Sequence, residues 1–269
     1  MLLEGGLQAQ KSGAQRVVTR LPSERVTVII RSCQRQTLDH ALTSLAHQSH
    51  SYLEVLIVNA LATPHATPKF DSQDADLKIL EFSGQRLSRS AAANLGLGNV
   101  TGQFVLFLDD DDWLEPCHIE NLLSVLQGQT ENTIAAYSAT RCVDEVGNSR
   151  DETFGVDFDQ TRLLSGNFIP IHSCLFRWTA QTQYLRMDET LDLYEDWDFW
   201  MQLSMHGGFI FSPLPTAIYR LGSGSGFGVD GWGSEVAAKA YARVLAKWRL
   251  KWTDVQLERI LERARLSFL

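Results

Sequence analysis

The chain has 269 residues, about twice the usual domain length, so we expect one large domain with or without an appendage. Its 44% hydrophobic and 21% charged residues exclude a disordered or fibrous protein. Its 24 basic and 32 acidic side chains give a formal net charge of -8, which argues against broad binding to nucleic acid or anionic membrane by net attraction and leaves a local basic patch open.

Apolar runs alternate with helical patterns along most of the chain. Residues 26–31 read as a strand, a helix begins at Leu38, and residues 53–58 read as a second strand, which is a β-α-β series. Further strands are predicted at 78–82, 104–108, 134–137, 173–176 and 209–211, with a helix near 119–126. This order of elements predicts an α/β sheet sandwiched by helices.

The C-terminal part has a different pattern. Residues 222–233 are rich in glycine and serine and predict a loop or linker. Ser234 is an N-cap residue ahead of apolar positions at helical spacing, and Thr253 with Gln256 resembles a capping box that opens a second helix through Leu269. Because this helix has no stop signal and residues 1–23 show no regular pattern, we expect a longer parent chain.

The cysteines and the hydropathy pattern bear on location. The four cysteines are dispersed without a CxxC pair, which predicts neither a zinc site nor a dense disulfide framework and favours a reducing cytoplasm. No run of about 18 apolar residues occurs, so no transmembrane segment is expected. Peripheral membrane association is left open by the sequence.

Four adjacent carboxylates, Asp109 to Asp112, follow the predicted strand 104–108. Ligands of open α/β sheets collect beyond the carboxyl ends of strands, so these acids lie where a site is expected. Mg²⁺ and Mn²⁺ prefer oxygen ligands and commonly bridge carboxylates to phosphate, which predicts a metal-assisted nucleotide diphosphate site. The alternative interpretation is a solvated acidic turn before the next helix.

A second acidic pair, Glu195 and Asp196, precedes an apolar helical pattern and is predicted to lie at a helix N-terminus. Acids at such a position favour the helix dipole and cap free N–H groups. A carboxylate there is also placed to act as general base for a substrate hydroxyl. His172 and Trp197 are candidates for contact with the substrate that carries this hydroxyl, the acceptor. The alternatives are a buried structural histidine and core packing of the tryptophan.

Several motifs in order resemble the family-two glycosyltransferases of the GT-A fold. They are VTVIIRSCQR from residue 26, LEVLIV from residue 53, SAAANLGL from residue 90, FLDDDDW from residue 107, YEDWDFWMQL from residue 194 and IYR from residue 218. The resemblance covers residues 25–220 and implies a nucleotide-binding α/β/α sandwich. We therefore divide the chain into a flexible extension (1–23), a GT-A domain (24–221), a linker (222–233) and a helical C-terminal segment (234–269).

The resemblance also implies roles for individual residues. Asp196 would be the catalytic base of an inverting transfer, with Glu195 beside it on the acceptor side. Asp111 would be the principal ligand of Mn²⁺ or Mg²⁺, and Asp109 would contact the ribose or the metal. The remaining expected contacts to the nucleotide are Ser32, Arg35, Asn59 and Asp110.

The sequence departs from the family pattern at several positions that are expected to contact the nucleotide. Asn59 and Ala60 stand where the family has DDGSxD with an acid that reads the nucleobase, and Cys33 replaces an aromatic residue. Ala93 stands where arginine is frequent, and the segment after Tyr219-Arg220 lacks the frequent histidine.

Our hypothesis is a metal-dependent inverting glycosyltransferase that moves a sugar from a UDP-sugar, or second a dTDP-sugar, to a hydroxyl of a glycan or related acceptor. The altered 59–60 segment and the missing histidine motivate an alternative, a non-catalytic module that binds nucleotide or glycan. Nucleotidyl transfer is a third option, although no glycine-rich phosphate loop of the expected kind is visible.

Overall fold

The computed structural model describes residues 24–70, 75–82, 84–191, 193–222 and 234–266. The predicted extension 1–23, most of the predicted linker and the last three residues of the predicted final helix lie outside this range. The strands are β1 (Val26–Ser32), β2 (Leu53–Asn59), β3 (Asp76–Leu80), β4 (Phe104–Asp109), β5 (Trp113–Leu114), β6 (Thr133–Val143), β7 (Ser149–Phe154), β8 (Cys174–Arg177) and β9 (Gly208–Arg220). The helices are α1 (Leu38–Ala46), α2 (Arg89–Leu97), α3 (His118–Gln127), α4 (Gln160–Ser165), α5 (Glu195–Ser204), α6 (Glu235–Trp248) and α7 (Asp254–Leu266).

One mixed sheet organises the described residues. Its strand order is β3-β2-β1-β4-β8-β6-β9-β5, and β7 pairs with β6 outside this path. Strands β3, β2, β1 and β4 are mutually parallel, whereas β8 runs antiparallel to β4 and β6. The carboxyl ends of the four parallel strands therefore share one edge of the sheet, where ligands of such sheets bind.

Two hydrophobic cores cover the two faces of this sheet. Strands β1, β2 and β4 are buried at every residue, as expected for parallel strands with helices on both sides. Helices α2, α5 and α6 contribute to the core on one face, and α1 and α3 to the core on the other. The predicted helix-covered α/β sheet is confirmed.

A close helix–strand approach fixes the position of α2. A Cβ added to Gly96 would overlap the side chain of Ile29 on β1. Glycine is therefore required at this turn of α2 by the contact with the strand.

The two C-terminal helices begin as predicted. The Ser234 hydroxyl accepts a hydrogen bond from the Ala237 N–H at 3.1 Å, which is an N-cap. Thr253 and Gln256 exchange hydrogen bonds between side chain and backbone at 3.2 and 2.9 Å, which is the predicted capping box. Among the described residues, no helix is long and apolar enough to span a membrane.

Helix α6 is attached to α5 through a buried carboxylate. Asp198 accepts hydrogen bonds from the Trp248 indole N–H at 2.7 Å and from the Lys247 ammonium at 2.9 Å. Trp248 itself is 2% exposed, so it packs into the core. The helical C-terminal segment thus supports the helix that carries Glu195 and Asp196.

Candidate functional site

The four aspartates lie at the carboxyl end of β4, where the sequence predicted a site. All four are at most 9% exposed, so they do not form the solvated turn of the alternative interpretation. Carboxylate oxygens of Asp109, Asp111 and Asp112 lie within 4.8 Å of one another. Three converging carboxylates are a donor set that suits a hard divalent cation.

Asp110 faces a different direction from its neighbours. Its carboxylate accepts hydrogen bonds from the Cys33 N–H at 2.7 Å, from the Ser32 hydroxyl at 3.2 Å and from the Arg35 guanidinium. These contacts hold the loop between β1 and α1 against the end of β4. The sequence predicted Asp109 and Asp111 as metal ligands, and in the structure Asp112, not Asp110, lies together with them.

A buried arginine connects the two acidic clusters. Arg31 donates two hydrogen bonds to Asp109, at 2.7 and 2.8 Å, and one to Glu195 at 2.8 Å. Burial opposes the charge of Asp109, but Arg31 and Arg89 outweigh it and hold the pKa of Asp109 well below its usual range. Sequence analysis missed Arg31. The available signal was an arginine within a largely apolar strand, because a buried arginine requires acidic partners.

Asp196 lies in the first turn of α5, next to the Arg31-bound Glu195. Its carboxylate accepts hydrogen bonds from the Asn167 side-chain amide and from the Trp197 N–H, both at 2.8 Å. Burial and the nearby charge of Glu195 raise the pKa of Asp196 to about 6. A carboxyl group with a pKa near neutrality is suited to accept a proton.

Two residues with an uncommon backbone conformation lie beside the two acidic clusters, one in the loop after β1 and one just before α5. Within the described part of the chain, Gln34 and Tyr194 are the non-glycine residues with positive φ, at 54° and 60°. Gln34 lies in the loop after β1, and Tyr194 immediately precedes the acidic pair on α5. Left-handed non-glycine residues are uncommon and cluster at functional sites.

The ends of β1 and β2 lie side by side, with Ser32 paired to Asn59 in register. Both side chains are at most 1% exposed. The Ser32 hydroxyl contacts His65, and the Asn59 amide donates to Glu81 at 2.6 Å. The sequence predicted that Ser32 and Asn59 contact the nucleotide, whereas their burial favours a role in holding the surrounding loops. Arg35 is the more exposed member of the predicted set, with 24% of its side chain accessible.

The two acceptor-side candidates other than Glu195 lie inside the protein. His172 is fully buried, and its Nδ1 lies 3.2 Å from an Asp112 carboxylate oxygen. Burial opposes protonation, but the charges of Asp112, Asp109 and Asp111 together outweigh it and raise the pKa of His172. Trp197 is also fully buried and donates its indole N–H to the Leu163 carbonyl at 2.5 Å. These burials favour the alternatives, a structural histidine and core packing of the tryptophan.

Comparison with known structures identifies the fold. S. aureus TarS 1–349 in complex with UDP-GlcNAc is 15% identical, with a TM-score of 0.58 over 89% of this chain and 79% of TarS 1–349. The mannosyltransferase PcManGT from Pyrobaculum calidifontis, in complex with GDP-Man and Mn²⁺, is 14% identical, with a TM-score of 0.56 over 93% and 82% of the two chains. The GT-A fold expected from the sequence is confirmed.

Sequence comparison identifies the family. EpsH of Bacillus subtilis strain 168 is 31% identical over 113 residues, which are 41% of this chain. The matched segment spans 32% of EpsH, so the chain covers about a third of that relative's length. The family model described as "Glycosyl transferase family 2" matches residues 27–184, more than half of the chain. The chain therefore belongs to glycosyl transferase family 2.

Proposed function

We propose that the protein transfers a sugar from a nucleotide-sugar to an acceptor hydroxyl with inversion at the anomeric carbon. UDP-sugar is the first candidate donor and dTDP-sugar the second. The observation that carries the proposal is the shared position of the two acidic clusters, because Arg31 contacts both Asp109 and Glu195. Family membership and the fold support the same activity.

The donor end of the proposed site is the edge of the sheet at β4. Asp109, Asp111 and Asp112 would hold a divalent cation, Mn²⁺ or Mg²⁺. Such a cation, when bound, neutralises charge on the diphosphate leaving group. Arg35, held by Asp110 beside these acids, supplies a fixed positive charge at the same edge.

The acceptor end of the proposed site is the N-terminus of α5. The Asp196 carboxylate accepts the proton of the acceptor hydroxyl as that oxygen attacks the anomeric carbon. The bond from the anomeric carbon to the diphosphate oxygen breaks, and the nucleoside diphosphate leaves with the electron pair. Because attack and departure are on opposite faces, one displacement inverts the configuration.

Calorimetry of the wild-type chain tests the nucleotide-binding part of this proposal. UDP, dTDP and GDP are titrated with and without Mn²⁺, and we expect UDP to bind and Mn²⁺ to strengthen its binding. Failure of every nucleotide to bind rejects the proposal. Tight binding without transfer or donor hydrolysis favours a non-catalytic module instead.

The pKa of Asp196 predicts the pH dependence of transfer. A general base must be ionised, and this pKa is about 6. We therefore expect kcat to fall about tenfold per pH unit below the pKa and to level off above it. Asn167→Ala removes a hydrogen bond that favours the ionised form and should move the inflection to higher pH. An inflection near the ordinary aspartate value of 3.8 in the wild type would contradict this assignment.

A further inference from the structure

Strand order determines which part of the sheet edge a nucleotide can cover. The acidic cluster lies at the end of β4, with β1, β2 and β3 on one side and the antiparallel β8 on the other. Three strand spacings separate β4 from β3, which is about 14 Å. If the diphosphate binds at β4 and the acceptor at α5, as proposed, the nucleoside would lie over the ends of β1, β2 and β3.

Asn59, at the end of β2, has no donor left for a ligand. Its amide N–H groups donate to the Thr63 carbonyl at 2.7 Å and to the Glu81 carboxylate at 2.6 Å, and its oxygen accepts from the Leu61 N–H at 3.0 Å. An asparagine amide has two N–H donors, and both are used here. Asn59 is also 1% exposed, so its side chain holds the loop after β2 and is not presented at the surface.

Glu81 directly follows β3 and is exposed at the same edge. One carboxylate oxygen accepts from the Asn59 amide, and the other accepts from the His65 N–H at 2.8 Å. These two donors lower the pKa of Glu81, Asn59 having the larger effect. Because each carboxylate oxygen has two lone-pair sites, Glu81 can still accept a hydrogen bond from a ligand.

A second contact fixes the loop that contributes His65. The imidazole Nε2 lies 3.0 Å from the Ser32 hydroxyl at the end of β1, and the Ala66 N–H donates to the Gln34 side chain at 3.1 Å. The loop after β2 is thereby tied to the loop after β1. These contacts hold Glu81 at the β3 end of the sheet edge, where the proposed site would place the nucleoside.

We propose that Glu81 selects the nucleobase of the donor by accepting a hydrogen bond from a ring N–H. Uracil, thymine and guanine carry such a donor. Cytosine presents a ring nitrogen lone pair at the corresponding position, which repels a carboxylate. The inference rests on the proposed function and narrows it, because it favours donors with the first three bases over cytidine nucleotides.

The test compares UDP and CDP binding by calorimetry in the presence of Mn²⁺. We expect the wild type to bind UDP at least about tenfold more tightly than CDP, the size of one charge-assisted hydrogen bond. In Glu81→Gln the new amide can donate to cytosine and accept from uracil, so the UDP/CDP ratio should fall to within about threefold of unity.

Glu131→Gln is the matched control. It removes the same charge at an exposed residue before β6, whose amino end lies at the opposite edge of the sheet from the carboxyl end of β4. This variant should keep the wild-type ratio. If Glu81 had only a structural role, Glu81→Gln would weaken the binding of UDP and of CDP equally.

The outcomes separate the inference from the function on which it rests. An unchanged UDP/CDP ratio in Glu81→Gln, or an equal loss of both ligands, overturns the role of Glu81 and leaves nucleotide-sugar transfer in place. A wild type that binds none of UDP, dTDP, GDP and CDP overturns both. A ratio that collapses in Glu81→Gln and persists in Glu131→Gln supports the inference.

Discussion

Asp196→Asn is expected to lower kcat by about 100- to 10,000-fold, the usual contribution of a general base. UDP affinity should stay within about threefold of the wild type, because the proposed contact of Asp196 is with the acceptor and not with the nucleotide. Asparagine has nearly the same shape, and a rotated Asn167 amide can still hydrogen-bond to it. The measurement is steady-state transfer or donor hydrolysis, with UDP calorimetry on the same samples.

Asp198→Asn is the matched control on the same helix. Asp198 is buried and contacts Lys247 and Trp248 on α6, away from the acidic pair. This variant should lose stability but keep most of the turnover per folded molecule. If Asp196→Asn retains wild-type turnover, Asp196 is not the base.

Arg31→Met is expected to lower the free energy of unfolding by about 3–5 kcal/mol, the range for breaking a buried ion pair by removing one partner. Asp109 and Glu195 would keep their burial but lose their shared cation. Arg89, within 3.5 Å of both carboxylates, can replace only part of this interaction because 39% of its side chain is exposed. Urea unfolding of both proteins at neutral pH measures the difference.

Two further variants define what Arg31 contributes. Arg31→Lys restores the charge but not the planar guanidinium that reaches both acids, so its stability should be intermediate. Lys239→Met removes an exposed cation from a pair with Glu235 and should cost less than about 1 kcal/mol. A loss of less than about 1 kcal/mol in Arg31→Met would show that the three groups do not form a buried ion-pair network.

The parts of the fold that sequence predicted well are those with strong local patterns. β1, β2 and β4 are mainly apolar in sequence, and the structure buries every residue in them. The capping signals at Ser234 and Thr253 likewise located the starts of α6 and α7. Local hydrogen bonding and burial on both faces leave a readable trace in the sequence.

Elements without such a pattern were missed or misplaced. β7 is largely charged and exposed, so it lacks the apolar alternation of a strand. β9 extends for 13 residues through Pro213 and Pro215, where the sequence predicted only 209–211. Register shifts between β6 and β9 near these prolines accommodate them. β3 begins two residues before the predicted start, and its residues are exposed or half-buried, so its apolar pattern is weak.

The site was predictable only where acidic residues cluster in sequence. Asp109, Asp111 and Asp196 were identified because adjacent carboxylates follow a strand or open a helix. Arg31 and Glu81 were not, since the contacts that make them candidates join residues 164 and 22 positions apart in the chain. Contacts over such separations leave no spacing pattern in a single sequence.

Mn²⁺-dependent UDP binding, compared in the wild type, Asp111→Asn and Asp196→Asn, tests most directly whether the two acidic clusters have separate tasks at one nucleotide-sugar site. We expect Mn²⁺ to strengthen UDP binding in the wild type and in Asp196→Asn. In Asp111→Asn this enhancement should fall by more than about tenfold, because one carboxylate of the cluster is removed. Mn²⁺ enhancement that survives in Asp111→Asn, or that is lost in Asp196→Asn instead, would contradict the account.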